Sequence, residues 1–307
     1  ALVSAYPYDT DARHLLAGAL HDAGRYDDEI AELEVLARIA PEDSVVRSML
    51  GYAHLAKRDF TRAVVELQRY VEREPDSANG HASLGDAYRS QGELDLAAEE
   101  YRAALAADPT FRVAATSLAV VDALAGRLDE AERRLRLQVG EAGSPPRDRI
   151  DAAFELASLL RGRGRFREAA ALLASFEDEL AAEQVREAMA LSVRGGCLAE
   201  LGDERTARRL IARAIELSPG PATRYLFARG QLELRLGELA AVRATAVEIG
   251  SLALPPDNPD RTEERAAAYL EGMALLHEGD AVRAADRLAA AVASAGYEYA
   301  VYRLGLA

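Results

Sequence analysis

The chain has 307 residues, of which half are apolar, and its 51 acidic side chains against 37 basic ones give a formal net charge of −14. A balance this acidic disfavours nucleic acid and anionic membrane surfaces as partners, because both are bound through clustered lysine and arginine. No run of about 18 or more apolar residues occurs, so no transmembrane helix and no direct membrane insertion are predicted. The single cysteine, Cys197, excludes an intramolecular disulfide and a cysteine-rich metal site.

A helix-breaking position recurs along the chain. Its first four occurrences are evenly spaced by about 34 residues, a period typical of repeat architectures. The later intervals are longer and less regular. Glycine occupies this position everywhere except in the second occurrence, where arginine stands in its place. The eight positions are Gly24, Arg58, Gly92, Gly126, Gly164, Gly202, Gly237 and Gly279.

The segments on both sides of each breaker have the pattern of amphipathic helices. Apolar residues recur at intervals of three and four, and Ala, Leu, Arg and Glu, which favour helix, dominate. Helix starts are predicted at the capping residues Asp43 and Ser44, at Asp76 and Ser77, and at Asp148. A hairpin of two such helices cannot bury its own apolar face, so consecutive hairpins are expected to stack.

The clearest unit ends at Asp108 and Pro109, since proline cannot continue a helix and restricts the residue before it. Within the unit, small residues let the two helices approach and large residues fill the gaps around them. Its signature residues are His81, Leu84, Gly85, Tyr88, Gly92, Leu94, Ala97, Tyr101, Ala104 and Pro109.

This signature resembles the tetratricopeptide repeat (TPR) family. The resemblance implies an all-α fold, an α-solenoid in which about eight helix–turn–helix units form a right-handed superhelix with a C-terminal helix. Residues 1–143 are predicted to form a regular array of repeats one to four. Residues 144–307 are predicted to continue it as a divergent array of repeats five to eight. The last residues form either a capping helix or the first half of a ninth repeat.

No pattern in the sequence indicates catalysis. Phosphate-binding glycine loops and the HExxH, GxSxG and CxxC motifs are absent, so neither an enzyme nor a cofactor is expected. His14 and His21 share one helix face, but they provide only half of a metal site, and no metal is predicted. His54 is expected to pack inside its repeat, as is Cys197.

Charged clusters are expected to lie on solvated surface. The acidic run Asp27–Glu29 is assigned to an outward helix face. The basic cluster Arg161, Arg163, Arg165 and Arg167 is expected to pair with neighbouring acids, and a weak site for an acidic partner stays open as the alternative.

The resemblance also implies that the first helix of each pair lines a concave groove. A clamp for a peptide C-terminal carboxylate, known in this family, is largely missing from the first three repeats. The later groove is more apolar and suits an extended peptide or an amphipathic helix, although the C-terminal helix could instead cover it. The candidate partner-binding residues are His14, His21, Tyr52, Asn79, Asp86, Arg89, Arg224, Phe227, Gln231, Tyr269 and Met273.

The function predicted from these observations is a non-enzymatic scaffold that holds a protein or peptide in the groove. One alternative is a self-associating module that forms a homodimer. Another is a regulatory domain of a larger bacterial protein whose activity lies outside this chain. The single cysteine favours the cytoplasm, but the sequence begins at Ala1 rather than at methionine, so export or lipid anchoring stays open.

Overall fold

A computed structural model describes residues 8–141, 143–253 and 262–292. Within these ranges the regular elements are all helical and no β-strand occurs, which confirms the all-α prediction. The chain divides into two compact units, Ala1–Glu155 (unit 1) and Leu156–Ala307 (unit 2). The boundary predicted at residue 143 stays a prediction, and the two units are described separately below.

The described part of unit 1 consists of helical hairpins that follow one another along the chain. Each first helix packs on its own second helix, and each of the first three second helices packs on the first helix of the hairpin that follows. The helices are α1 Thr10–Asp22, α2 Tyr26–Ile39, α3 Ser44–Ala56, α4 Phe60–Arg73, α5 Ala78–Gln91, α6 Leu94–Ala107, α7 Arg112–Leu124 and α8 Leu128–Gly140. Helix α9, Pro146–Gly162, runs across the division between the units.

Unit 2 repeats the hairpin pattern with longer connections. A one-turn helix, α11, takes up part of the wider interval between Gly164 and Gly202. The predicted C-terminal helix lies outside the described residues. The helices are α10 Phe166–Ala174, α11 Glu177–Leu180, α12 Gln184–Glu200, α13 Glu204–Glu216, α14 Thr223–Arg235, α15 Leu239–Gly250, α16 Thr262–His277 and α17 Ala281–Val292.

All eight predicted breaker positions have left-handed backbone conformation, with φ between 62° and 84°. Such a residue ends a helix and lets the chain reverse into the next one. At Gly92, for example, the following residue, Glu93, donates its N–H to the carbonyl of Tyr88 at 3.0 Å. The sequence prediction of the hairpin turns is therefore confirmed.

Glycines in the first helices receive large side chains from the second helices. A Cβ atom at Gly51 would lie 2.5 Å from Cγ of Leu67, and one at Gly85 would lie 2.8 Å from Cε1 of Tyr101. We call such a glycine or alanine a notch. The same sequence offset between notch and filling residue recurs for Gly195 with Ile211, Gly272 with Leu288, Ala17 with Leu33, Ala119 with Leu135, and Ala157 with Leu173.

Repeat seven departs from this rule. The residue at the filling offset from Gly230 is the small Ala246, which cannot fill the notch. Leu270 of α16 fills it instead, since a Cβ atom at Gly230 would lie 2.5 Å from its Cδ1. Helix α16 of the next repeat therefore packs directly against α14.

Two of the three predicted helix caps are confirmed. Side-chain oxygens of Asp43 and Ser77 each accept a backbone N–H at 3.0 Å at the starts of α3 and α5. The prediction for Asp148 is wrong, because α9 already begins at Pro146. Proline is well suited to the first helical position, since its φ angle is preset and it has no N–H to satisfy.

The prediction that the whole acidic run Asp27–Glu29 faces solvent is also wrong. Glu29 is 1% exposed, and its carboxylate lies 3.0 Å from Nδ1 of His21. In the following repeats the same position is held by the fully buried Ala63 and Ala97. Glu29 is buried because the position faces the partner helix, and this burial raises the pKa of its carboxyl.

Replacing Arg58 by glycine is expected to raise the free energy of unfolding by about 1 kcal/mol, because L-residues are strained at positive φ. Arg58 is the one non-glycine residue with positive φ in the described ranges, at 62°. Chemical denaturation measures the change. Arg58→Ala is the control, because it removes the guanidinium that lies 5.5 Å from the centre of the Phe60 ring but keeps the Cβ atom. An equal gain from alanine would contradict the explanation by backbone strain.

His54 is expected to make the stability depend on pH. The side chain is 6% exposed, Nδ1 has no hydrogen-bond partner among the described residues, and burial lowers the pKa. The unfolded state then binds the proton more readily, so stability falls as pH drops below about 6.5. His54→Leu should reduce the loss measured by denaturation between pH 7 and pH 5. An unchanged loss would contradict this role for His54.

Candidate functional site

The candidate partner-binding residues lie on the first helices of the repeats, and we call their accessible side the first-helix face. In unit 1 it is carried by α1, α3, α5 and α7. In unit 2 it is carried by the last part of α9 and by α12, α14 and α16. First helices touch their neighbours from α3 to α5, α5 to α7, α12 to α14 and α14 to α16, so the face continues across these repeats.

The two candidate histidines on α1 are each engaged with a different acid. His14 places Nδ1 3.0 Å from the carbonyl of Thr10 and Nε2 3.3 Å from Asp43. His21 contacts the buried Glu29. The described residues contain no cluster of three or more side chains that could hold a metal ion.

Tyr52 joins α3 to α5 on the first-helix face. Its hydroxyl lies 2.6 Å from Oγ of Ser83, which in turn donates to the carbonyl of Asn79 at 2.7 Å. The ring remains 39% exposed, and the partial burial raises the pKa of the hydroxyl. Tyr52 therefore offers an accessible aromatic surface held at a fixed position.

Asp86 and Arg89 form a closed network with a buried tyrosine. Tyr101 donates its hydroxyl proton to Oδ1 of Asp86 at 2.7 Å, and Arg89 donates to the same oxygen at 2.8 Å. Nε of Arg89 also donates to the Tyr101 hydroxyl at 3.2 Å. Burial, reinforced by the Asp86 charge, raises the pKa of that hydroxyl. The charges of Asp86 and Arg89 are thus compensated by each other.

In unit 2, the prediction that Phe227 presents its ring to a partner is wrong. Phe227 is 1% exposed and belongs to the core formed by α14, α15 and α16. Its ring centroid lies 5.6 Å from that of Tyr269. The ring is covered because α16 packs directly on α14 where Leu270 enters the Gly230 notch.

The other candidates in unit 2 are more accessible. Tyr269 and Met273 are half-buried and pack against the same core, while Arg224 is exposed at the start of α14. Gln231 is half-buried on the face of α14, and its amide makes no hydrogen bond with another described residue. Together, Tyr269, Met273 and Gln231 provide apolar surface with a polar anchor.

Arg161 was not among the candidate groove residues, although its basic cluster stayed open as a weak site for an acidic partner. The expectation that its cluster pairs with acids holds for Arg165, which donates to Glu168 at 2.6 Å. It is wrong for Arg161, which is half-buried but makes no hydrogen bond and no ion pair with any described residue. The spacing agrees with this difference, since Arg165 has Glu168 three residues on, whereas no acid lies three or four residues from Arg161 on either side.

The comparisons with known proteins agree with this architecture. A family model described as tetratricopeptide repeat matches residues 48–110 and 154–220. The solved structure of a tetratricopeptide repeat protein from Parabacteroides merdae is similar, with a TM-score of 0.63 over 87% of this chain and 98% of that chain. The sequence identity is 14%, so this likeness concerns the fold.

Two curated relatives match by sequence. The type IV pilus assembly protein PilF of Pseudomonas aeruginosa is 32% identical over 116 residues, which are 36% of this chain and 44% of PilF. The TPR and J domain-containing co-chaperone DNJ1 of Fusarium oxysporum is 25% identical over 215 residues, 65% of this chain and 40% of that protein. The matches therefore span less than half of these relatives.

Helical hairpins with left-handed turns and notch residues, repeated in sequence order, define an α-solenoid repeat protein. Residues 48–110 and 154–220 match the tetratricopeptide repeat family, and the fold is similar to that of a tetratricopeptide repeat protein. Members of this family typically act as non-catalytic scaffolds for interactions between proteins. None of the helices in the described ranges is long and apolar enough to cross a membrane.

Proposed function

We propose that the chain is a protein-interaction scaffold that binds an extended segment of a partner protein along its first-helix face. The observation that carries this proposal is the combination of Tyr269, Met273 and Gln231 in unit 2. The two half-buried apolar side chains offer contact area, and the amide of Gln231 has unused hydrogen-bonding capacity. Apolar contact area with a few polar anchors is what peptide-binding surfaces require.

The relatives support a role in handling other proteins. PilF is named as a protein of pilus assembly, and DNJ1 is named as a co-chaperone. Neither name specifies a partner for this chain. The proposal therefore concerns the class of interaction and the face that makes it.

The experiment is a selection of short random peptides, displayed on phage, against the immobilised full chain. A recurring peptide is then synthesised, and its affinity is measured by fluorescence anisotropy. Gln231→Ala and the double variant Gln231→Ala/Met273→Ala are expected to weaken binding, the double variant by about tenfold or more, or about 1.4 kcal/mol. The loss follows because both the polar anchor and apolar contact area are removed.

Val247→Ala is the matched control. Val247 is 68% exposed on α15, a second helix of the same unit, so this variant should bind the peptide as the unchanged protein does. Circular dichroism confirms that each variant remains folded. Failure to select any recurring peptide would contradict the proposal, as would equal losses from the Gln231 and Val247 variants.

A further inference from the structure

Arg161 stands out among the partly buried arginines of the described residues. Its guanidinium has no hydrogen bond and no counter-ion there, although the side chain is half-buried in the last turn of α9. Arg47, Arg89 and Arg194 are also half-buried, but each has a guanidinium nitrogen close to a carboxylate oxygen. The three distances are 2.8, 2.8 and 3.4 Å, respectively. Among the described residues, these three arginines are thus neutralised and Arg161 is not.

The guanidinium of Arg161 approaches a glycine on the neighbouring first helix. A Cβ atom at Gly196 of α12 would lie 3.9 Å from Nη2 of Arg161, at ordinary van der Waals distance. Ser158 lies one turn before Arg161 on the same side of α9, and Ser192 lies one turn before Gly196 on α12. Neither serine hydroxyl forms a hydrogen bond within the described residues. Gly196 therefore places no side chain against the guanidinium, and serines with unused hydroxyl groups lie one turn away on both helices.

The charge of Arg161 acts on its immediate environment. Burial raises the pKa of the nearby Cys197 thiol, and the positive charge of Arg161 opposes that rise. A partly buried cation has lost part of its hydration without gaining a counter-ion, which is unfavourable. A carboxylate from outside would compensate it, and the planar fork of arginine suits bidentate binding of carboxylate.

We propose that Arg161 receives a carboxylate side chain, from Asp or Glu, of the extended partner segment that binds the first-helix face of unit 2. This inference rests on the proposed function and adds the chemical class of the partner. The charge complementarity is local, because the chain as a whole carries −14 and would repel a polyanion. A segment with an isolated acidic residue therefore fits, and a nucleic acid does not.

The test compares peptide selections on the unchanged chain, on Arg161→Gln and on Arg167→Gln. Arg167 is the matched control, because it is exposed on the second helix α10 and also has no pairing in the described part. The unchanged chain and Arg167→Gln should enrich Asp and Glu at least twofold over the unselected library. Arg161→Gln should lose that enrichment.

A double-mutant cycle then locates the contact. Changing the enriched Glu of a selected peptide to Gln should weaken binding to the unchanged chain about tenfold, but should have little effect on binding to Arg161→Gln. Arg161→Gln should unfold at an unchanged or higher temperature, because no interaction within the described fold is lost. A lower melting temperature together with additive binding effects would identify a structural arginine and overturn the inference.

The two proposals fail in different ways. If peptides are selected without acidic enrichment, or if enrichment persists on Arg161→Gln, the inference about Arg161 is wrong and the scaffold proposal stands. If the unchanged chain selects no recurring peptide, the proposed function itself is wrong, and the inference falls with it.

Discussion

Replacing Gly85 by valine is expected to lower the free energy of unfolding by about 3 kcal/mol. A Cβ atom at this notch would lie 2.8 Å from Cε1 of Tyr101, which is closer than carbon atoms can pack. The Tyr101 ring is fully buried, and its hydroxyl is bonded to Asp86 and Arg89. It cannot rotate away without breaking those hydrogen bonds, so α5 and α6 must separate.

Gly18→Val is the matched control for this substitution. Gly18 lies in α1, also a first helix, and a Cβ atom there would meet no atom within 4 Å. Valine and glycine differ by only a few tenths of a kcal/mol in helix propensity, so we expect a change within about 0.5 kcal/mol. Urea denaturation followed by circular dichroism measures both variants. Similar losses for the two would refute the notch explanation.

The chain itself supplies a compensating change for the Gly85 notch. Where the notch is alanine, as in Ala17 and Ala119, the filling residue is leucine, as in Leu33 and Leu135. Gly85→Ala combined with Tyr101→Leu should therefore lower the free energy of unfolding by less than the sum of the two single changes. A coupling free energy of about 1 kcal/mol is expected, since the residues are in contact. Strict additivity would count against direct packing of position 85 on position 101.

Replacing Asp122 by alanine is expected to lower the free energy of unfolding by about 3 kcal/mol. Asp122 on α7 is 1% exposed, and its two carboxylate oxygens accept from Nε of Arg127 and Nε of Arg134, each at 2.9 Å. The carboxylate thereby ties the end of α7 to the turn and to α8. Its removal leaves two neighbouring guanidinium groups without their shared acceptor. Asp122→Asn should cost less, because it keeps the volume and part of the hydrogen bonding.

Glu216→Ala is the control for the Asp122 prediction. Glu216 and Arg213 form an ion pair of similar length, 3.0 Å, but both side chains are more than half exposed. Exposed pairs contribute little, so a loss below about 0.5 kcal/mol is expected by chemical denaturation. Equal losses of stability at the buried and exposed sites would show that the contribution of Asp122 to stability does not depend on its burial.

The repeating features of the fold could be predicted from the sequence because they are local or strictly periodic. A residue that ends a helix leaves the same signature in every repeat, so even Arg58 could be assigned to a left-handed turn. The constant offset between notch and filling residue is likewise a property of one hairpin. The exception at Gly230 could not be predicted in this way, since Leu270 comes from a different repeat.

The candidate site was less predictable, because accessibility depends on what packs above a residue. Counting along α14 placed Phe227 on the groove, but α16 covers it. The charge of the run Asp27–Glu29 assigned Glu29 to an outward face, but the position lies inside the hairpin. Tyr52 and Asn79 do lie at the surface of unit 1, and their role in binding a partner stays a proposal.

The sequence by itself determined the helices, their turns and the hairpin as the repeating unit, because these follow from short-range periodicity and backbone preference. Only the tertiary structure decided which charges find a partner. Arg47 of α3 lies 2.8 Å from Glu66 of α4, 19 residues away in the sequence, while Arg161 has no counter-ion among the described residues. The reason is that pairing of a side chain depends on groups brought close by packing, which sequence spacing within one helix does not specify.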